Sequence, residues 1–265
     1  MAPLRGLSAT LDRNDPEPKL GDALPPLWHW LYFLPHTQQS QLGPDGHAAK
    51  GGFLPPVPLP RRMWAGSRFE WHSPICVGDT IARTSSVQSV QHKVGKSGDL
   101  VFVKVLHELR NGSQLCLSEE HDIVYKSAPI ENEVAAQPTL AAKLLVPEHE
   151  LWQREVVPDD VLLFRYSALT FNGHRIHYDR AYVTQQEGYP GLVVHGPLTA
   201  TLLQQFAQEH SGGRALANFD FRGVSPLFVG RPFALEGREA DNGGLSLWAR
   251  GSDGELAMSA TATFR

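Results

Sequence analysis

Phe69-Glu70-Trp71-His72-Ser73-Pro74-Ile75-Cys76-Val77-Gly78-Asp79 has a second version later in the chain, Phe219-Asp220-Phe221-Arg222-Gly223-Val224-Ser225-Pro226-Leu227-Phe228-Val229-Gly230-Arg231. The shared core is S-P-[IL]-x-V-G. Each copy runs into an alternating strand pattern, Thr80 to Val90 and Arg231 to Glu239. Each then closes with a hairpin. The first joins Leu100–Arg110 to Gln114–Tyr125 through Asn111-Gly112, and the second joins Leu245–Arg250 to Glu255–Phe264 near Asp253-Gly254. Asn-Gly and Asp-Gly suit two-residue turns because both central positions need positive φ. Any two antiparallel sheets share some of these features, but three in the same order favour a duplication.

Working outward, Leu198 to His210 (LTATLLQQFAQEH) is the clearest helix. Pro197 suits its first turn, Ser211-Gly212-Gly213 its end, and its wide apolar arc predicts burial against a sheet. Leu27 to Leu34 (LWHWLYFL), after Pro25-Pro26, reads as a short helix, and Asp179 to Glu187 as a more polar one. Leu162 to Leu169 (LLFRYSAL) reads as a strand. Pro35 to Pro60 is a long Pro/Gly-rich loop of the kind that often carries function. Ser127 to Glu155 connects the two units and holds an apolar stretch, Leu140 to Val146. The organisation predicted is an α+β chain with one unit at 1–126, a linker at 127–155 and a second unit at 156–265.

The 265 residues can bury a real core, and a net charge of −4 without a basic stripe argues against a nucleic-acid binder. No run of eighteen apolar residues predicts a membrane span, and no signal peptide is visible at the N-terminus. Cys76 and Cys116, both in strand-like contexts, read as reduced structural thiols, which points to a cytoplasmic protein.

The chemistry concentrates in Tyr166-Ser-Ala-Leu-Thr-Phe-Asn172-Gly-His174-Arg-Ile-His177-Tyr-Asp179. His174 and His177 are three apart and would share a helical face. A metal needs a third ligand, and none is obvious. A structural histidine pair is the plain alternative. The second cluster, Leu192-Val-Val-His195-Gly196-Pro197, leads into the apolar helix. A helix start leaves amides free, and a glycine there lets a substrate approach the backbone. That is a natural seat for the enolate-like oxygen of thioester chemistry, although a simple helix cap would look the same.

Phe164 to Asp179, Tyr189 to Leu198 and Pro58-Leu59-Pro60-Arg61-Arg62-Met63-Trp64-Ala65-Gly66 together resemble the MaoC-like hydratase/dehydratase family. The branch is that of the itaconyl-CoA and mesaconyl-C4-CoA hydratases and the type 2 hydroxyacyl-thioester dehydratases. The resemblance runs from about Leu24 to the end. It implies a double hot-dog fold, two curved antiparallel sheets each wrapped around a central helix, with only the second unit keeping the hydratase motif. It also implies a hydro-lyase using His177, Asn172 and Gly196, with Asn172 standing where the wider family carries Asp. An amide cannot take a proton, so the proton work moves to His177. His174 as base, or Asp179 as the group orienting a histidine, stay open.

The implied substrate is a short acyl-CoA with a free carboxylate, hydrated to citramalyl-CoA. Arg61 and Arg62 are the carboxylate candidates, because a buried carboxylate favours a bidentate Arg; two solvated arginines are the alternative. Trp64, Tyr166, His174 and His195 are further substrate-binding candidates, and Arg222 a candidate for the CoA moiety. No cofactor beyond that CoA and no metal is implied, and a homodimer is compatible. Competing functions are a 3-hydroxyacyl-thioester dehydratase of lipid synthesis, a non-catalytic acyl-CoA binder and a thioesterase.

Overall fold

A computed structural model describes residues 1–95, 98–127 and 151–265. Nine strands are named in chain order: β1 (Arg61–Trp71), β2 (Ile81–Gly95), β3 (Gly98–Asn111), β4 (Gln114–Lys126), β5 (Trp152–Val156), β6 (Leu216–Gly223), β7 (Phe233–Glu239), β8 (Leu245–Gly251) and β9 (Leu256–Phe264). They form one sheet in the order β2-β3-β4-β1-β6-β9-β8-β7-β5, and every pairing is antiparallel. The sheets of the two units therefore join edge to edge through β1 and β6.

The duplication is visible in the hydrogen bonds. The motif serines Ser73 and Ser225 are 152 residues apart, as are Arg68 and Asp220. Arg68 faces Asp220 across the β1–β6 seam, flanked by Ser67 against Phe221 and Phe69 against Phe219. Exchanging the units maps this pairing onto itself, so a pseudo-two-fold axis passes between Arg68 and Asp220. The Ser73 and Ser225 amides both donate over 3.2 Å, to the Cys116 and Ala257 carbonyls. Leu24 N–H donates to Ile75 O at 2.7 Å, and Val194 N–H to Leu227 O at 2.8 Å. The bridges Ala23 to Cys76 and Val193 to Phe228 complete the match.

Four α-helices accompany the described strands: α1 (Ala2–Thr10), α2 (Asp160–Thr170), α3 (Arg180–Gln185) and α4 (Gly196–Glu209). The α4 helix is as expected. Every residue from Leu198 to Ala207 is buried, and the helix packs on β6 to β9. α3 lies inside the polar helix predicted at Asp179–Glu187.

Three expectations need correcting. Leu162–Leu169 is not a strand but most of α2, capped by the Asp159 carboxylate accepting from Leu162 N–H at 2.7 Å. Both sides of this helix are apolar. Leu163 and Tyr166 face the core while Val161 and Phe164 are exposed, so no clear helical periodicity shows. Leu27–Leu34 yields only a 3-10 turn, Trp28–Leu31. Two prolines before it and Pro35 after it leave too few residues for a self-supporting helix. The first unit thus has no α-helix where the second has α4. Finally, β5 begins inside the expected linker at Trp152, reaches the second unit at Val156 and extends that unit's sheet along β7; the stretch Leu140–Val146 lies outside the described residues.

A buried carboxylate takes the missing helix's place in the first unit. Glu119 on β4, 2% exposed, accepts from His29 Nε2 at 2.9 Å and Trp30 Nε1 at 2.9 Å, and also contacts His121 Nε2. It fastens the 3-10 turn to the sheet. Burial opposes its charge, but His121 and His29 outweigh that and hold the carboxyl well below its ordinary range.

Candidate active site

The candidate segment Tyr166–Asp179 is built around one tight turn. α2 ends in a Schellman arrangement, with Asn172 N–H to Ser167 O at 2.9 Å and Phe171 N–H to Ala168 O at 3.4 Å. The αL position is filled by Phe171 at φ 49°, an uncommon place for a bulky residue. Asn172 Oδ1 then accepts from His174 N–H at 3.0 Å, an Asx turn that swings the chain into the 3-10 turn Arg175–His177. The Asn172 side-chain NH2 remains as a donor.

His177 is 7% exposed and its Nδ1 lies 2.7 Å from Val193 O. A carbonyl only accepts, so this bond puts the proton on Nδ1 and leaves Nε2 with its lone pair. Burial lowers the His177 pKa to about 4, partly countered by the Val193 bond. The ring is therefore a neutral base across the physiological range. Beneath it lies His195, ring centroids 3.7 Å apart and planes within 18°. His195 is wholly buried, with Nε2 2.8 Å from Ser167 Oγ and Nδ1 unpartnered. The Val193 N–H to Ile176 O bond, 3.0 Å, ties the two clusters together.

His195 is also the N-cap of α4. The first amides of a helix lack helical partners. Pro197 has no N–H and Thr199 N–H returns to His195 O at 3.1 Å, leaving Gly196 and Leu198 as free donors of that turn. A Cβ built on Gly196 would meet nothing within 4 Å, so its backbone faces open space. The His177–His195 stack thus sets a base beside the segment that carries an oxyanion-type donor.

The other sequence candidates separate. His174 rests edge-on to His177 at 5.4 Å and is pushed down to about 2, by burial first and then by His47 and His177. Arg62 stands opposite Tyr125, two places from Trp64, which stands opposite Ile123. Alternation puts all four on the concave face. Arg62 has no hydrogen-bond or ion-pair partner among the described residues, and its charge reaches His174. Arg61, in contrast, is tied to Glu187, donating to its carbonyl at 2.9 Å and lying 3.4 Å from its carboxylate. It clamps the loop after α3 and is not free for a ligand.

Tyr166 and His195 are 2% and 0% exposed, so they support the site from below without lining it. Arg222 alternates with the inward-facing Phe219 and Phe221, which places it on the convex face, away from His177. Asp179 orients no histidine. It caps α3 through Tyr182 N–H at 2.9 Å and binds Arg175 at 2.8 Å.

Sequence reasoning missed Asp45 and His47 in the long loop. Their ligand-type atoms and one of His174 all lie within 4.8 Å of one another. Nothing local in the sequence links residues this far apart.

These features define a hot-dog hydro-lyase that works on thioesters. The chain belongs to the family of hydroxyacyl-thioester dehydratases type 2, which it matches over residues 27–229. It is 48% identical over 257 residues to the mesaconyl-C(4)-CoA hydratase of Chloroflexus aurantiacus, covering 96% of this chain and 88% of that protein. It is 30% identical to the mitochondrial hydroxyacyl-thioester dehydratase type 2 of Schizosaccharomyces pombe, covering 88% of this chain and 86% of that one. The fold agrees with HtdX of Mycobacterium tuberculosis, at TM-score 0.69 and 17% identity over 100% of this chain and 95% of that one. It agrees also with a MaoC-like dehydratase from Phytophthora capsici, at TM-score 0.59 and 13% identity over 77% and 69%. Among the described residues no helix is long and apolar enough to cross a membrane.

Proposed function

We propose that this hydratase adds water to the double bond of a short acyl-CoA carrying a free carboxylate, with mesaconyl-C4-CoA first, itaconyl-CoA second and citramalyl-CoA as the product. The observation that carries the chemistry is the His177 ring, fixed by Val193 with Nε2 unprotonated. In this reading Nε2 takes a proton from water, which the Asn172 amide orients. In mesaconyl-C4-CoA, whose double bond is conjugated with the thioester, the water oxygen attacks the β-carbon and the electron pair of the double bond moves onto the thioester oxygen; the itaconyl ester, whose double bond lies one carbon farther out, must first shift it into conjugation by losing an α-proton and gaining one at the terminal carbon. The Gly196 N–H at the positive end of α4 stabilises that enolate. The α-carbon then takes a proton, returned by the His177 imidazolium or through a shared water. No cofactor enters beyond the CoA of the substrate. Two free cysteines support a reducing, cytoplasmic setting.

The substrate class is supported by the 48% identical relative and by Arg62 on the concave face. A panel of crotonyl-, mesaconyl-C4-, mesaconyl-C1- and itaconyl-CoA with product identification tests it. Arg62→Ala should raise KM for the dicarboxylic esters and not for crotonyl-CoA. An equal change in both defeats the carboxylate role. The second reading, a 3-hydroxyacyl-thioester dehydratase of lipid synthesis, is favoured by the fission-yeast relative. It would show as preference for unbranched, uncharged acyl chains.

A further inference from the structure

The long loop of the first unit is docked onto the catalytic turn. Arg175 N–H donates to Asp45 O and Arg175 Nη1 to Pro44 O, both at 2.9 Å. Gly46 has φ +87°, and a Cβ there would stand 1.9 Å from Gly173 O. Only glycine allows both that backbone and that approach. The outcome is a specific placement of His47. Its ring lies 4.0 Å from that of His174, whose own ring borders His177. Asp45 accepts both the His47 backbone N–H at 3.0 Å and Nδ1 at 3.1 Å. The Asp45 carboxyl is held below its usual range despite burial, chiefly by the His47 hydrogen bonds, so it is an anion backing an imidazole.

The substrate chemistry makes this position matter. In a mesaconyl C4 thioester the free carboxylate is bonded to the β-carbon, the atom that water attacks. Whatever recognises it must border His177. Arg62, on the same concave face as Trp64, is one cation available to it. We propose that His47 supplies the other as an imidazolium held between two carboxylates: its Nδ1–H donates to Asp45, its Nε2–H donates to the β-carboxylate, and the loop thereby selects acyl-CoAs charged at that carbon. Asp45 acts through His47 as a positioning residue. This assignment rests on the hydratase reading above. A divalent cation held by Asp45, His47 and His174 is the competing use of the same cluster. The experiment below separates the two uses.

The experiment measures kcat and KM of purified wild-type, His47→Ala, His47→Gln and Asp45→Asn proteins with mesaconyl-C4-CoA and crotonyl-CoA. His47→Ala should raise KM for mesaconyl-C4-CoA by at least about tenfold, the loss expected for a charge-assisted hydrogen bond, while crotonyl-CoA stays within about threefold. Asp45→Asn should follow the same pattern more weakly, and His47→Gln, which retains an N–H donor, should recover part of the loss. Equal losses on both substrates, or none on either, overturn the assignment. If wild-type protein hydrates crotonyl-CoA and ignores mesaconyl-C4-CoA, the dicarboxylate reading falls and the role of His47 with it. One equivalent of bound divalent metal, lost with EDTA and in His47→Ala together with activity, overturns it in favour of the cation.

Discussion

The two units begin their central element differently. By the shared hydrogen bonds, Leu24 of the first matches Val194 of the second, so Pro25-Pro26-Leu27 stands where His195-Gly196-Pro197 stands. The second unit presents a free glycine amide at the start of a 14-residue helix. The first presents two prolines, which have no N–H, ahead of a four-residue 3-10 turn. A hollow persists there, a cavity of about 280 Å³ bordered by Leu24, Pro25, Pro26, His29 and Trp71, but neither proline can donate to an oxyanion. Duplication has kept the sheet and the motif strand in both units, and kept the proposed catalytic constellation in one.

The sharpest break removes the base that only the second unit has. His177→Ala should lower kcat about 10²–10⁴-fold, the usual worth of a positioned acid/base, and a fall below about threefold would sink the assignment. The wild-type profile sharpens it further. His177 is lowered to about 4, so kcat/KM should hold level at neutral pH and fall as the pH drops through about 4, when Nε2 becomes protonated.

Next, Gly196→Pro copies the first unit's Pro26 into the second. The helix start tolerates proline, and extended backbone at His195 (φ −61°, ψ 128°) suits a residue preceding one. The fold should survive, with unfolding midpoint nearly unchanged, while kcat drops about 10²–10³-fold, the cost of losing one oxyanion donor. A variant that folds and remains fully active would remove Gly196 from the mechanism.

How much of this contrast was readable beforehand follows from where each signal lies. The S-P-x-x-V-G repeat and the α4 stripe are local patterns, and both led to the right places. α2 misled because apolar side chains on both its faces hide the helical period. Asp45 and His47 were unreadable because long-range contacts, the Gly46–Gly173 approach and the Arg175 hydrogen bonds to Pro44 and Asp45, bring them to His174. Glu119 was unreadable because a lone Glu in an alternating strand looks solvated until its histidine and tryptophan partners arrive from residues 29 and 30. Arg222 lies on the convex face by parity alone: one place along β6 changes the face of the sheet.

Glu119 tests the other half of the contrast, the staple that replaces a helix. Glu119→Gln leaves His29, Trp30 and His121 without their buried anion and should cost about 3 kcal/mol in urea unfolding at pH 7, the low end for breaking a buried pair. Because the folded state holds this carboxyl below its unfolded pKa, its contribution is present above the unfolded value and lost as pH falls through the folded one. The gap between wild type and variant should therefore close in acid; a gap independent of pH would mean that packing, not charge, is what Glu119 supplies.

The smallest effect concerns Asn172, where the wider family carries a carboxylate. An Asp there could still accept from His174 N–H, so Asn172→Asp should fold with stability within about 0.5 kcal/mol of wild type. Its effect on rate should depend on the substrate. A dicarboxylic acyl-CoA brings its own anion to the β-carbon, next to the water that residue 172 orients. Two carboxylates a few ångströms apart at a partly buried site repel by about 1–4 kcal/mol. Asn172→Asp should therefore lose about tenfold or more in kcat/KM on mesaconyl-C4-CoA, and much less on crotonyl-CoA. That difference would make the amide a device for tolerating a charged substrate, with the proton left to His177. Equal losses would mean the amide's N–H donor to water matters for itself, whatever the substrate carries.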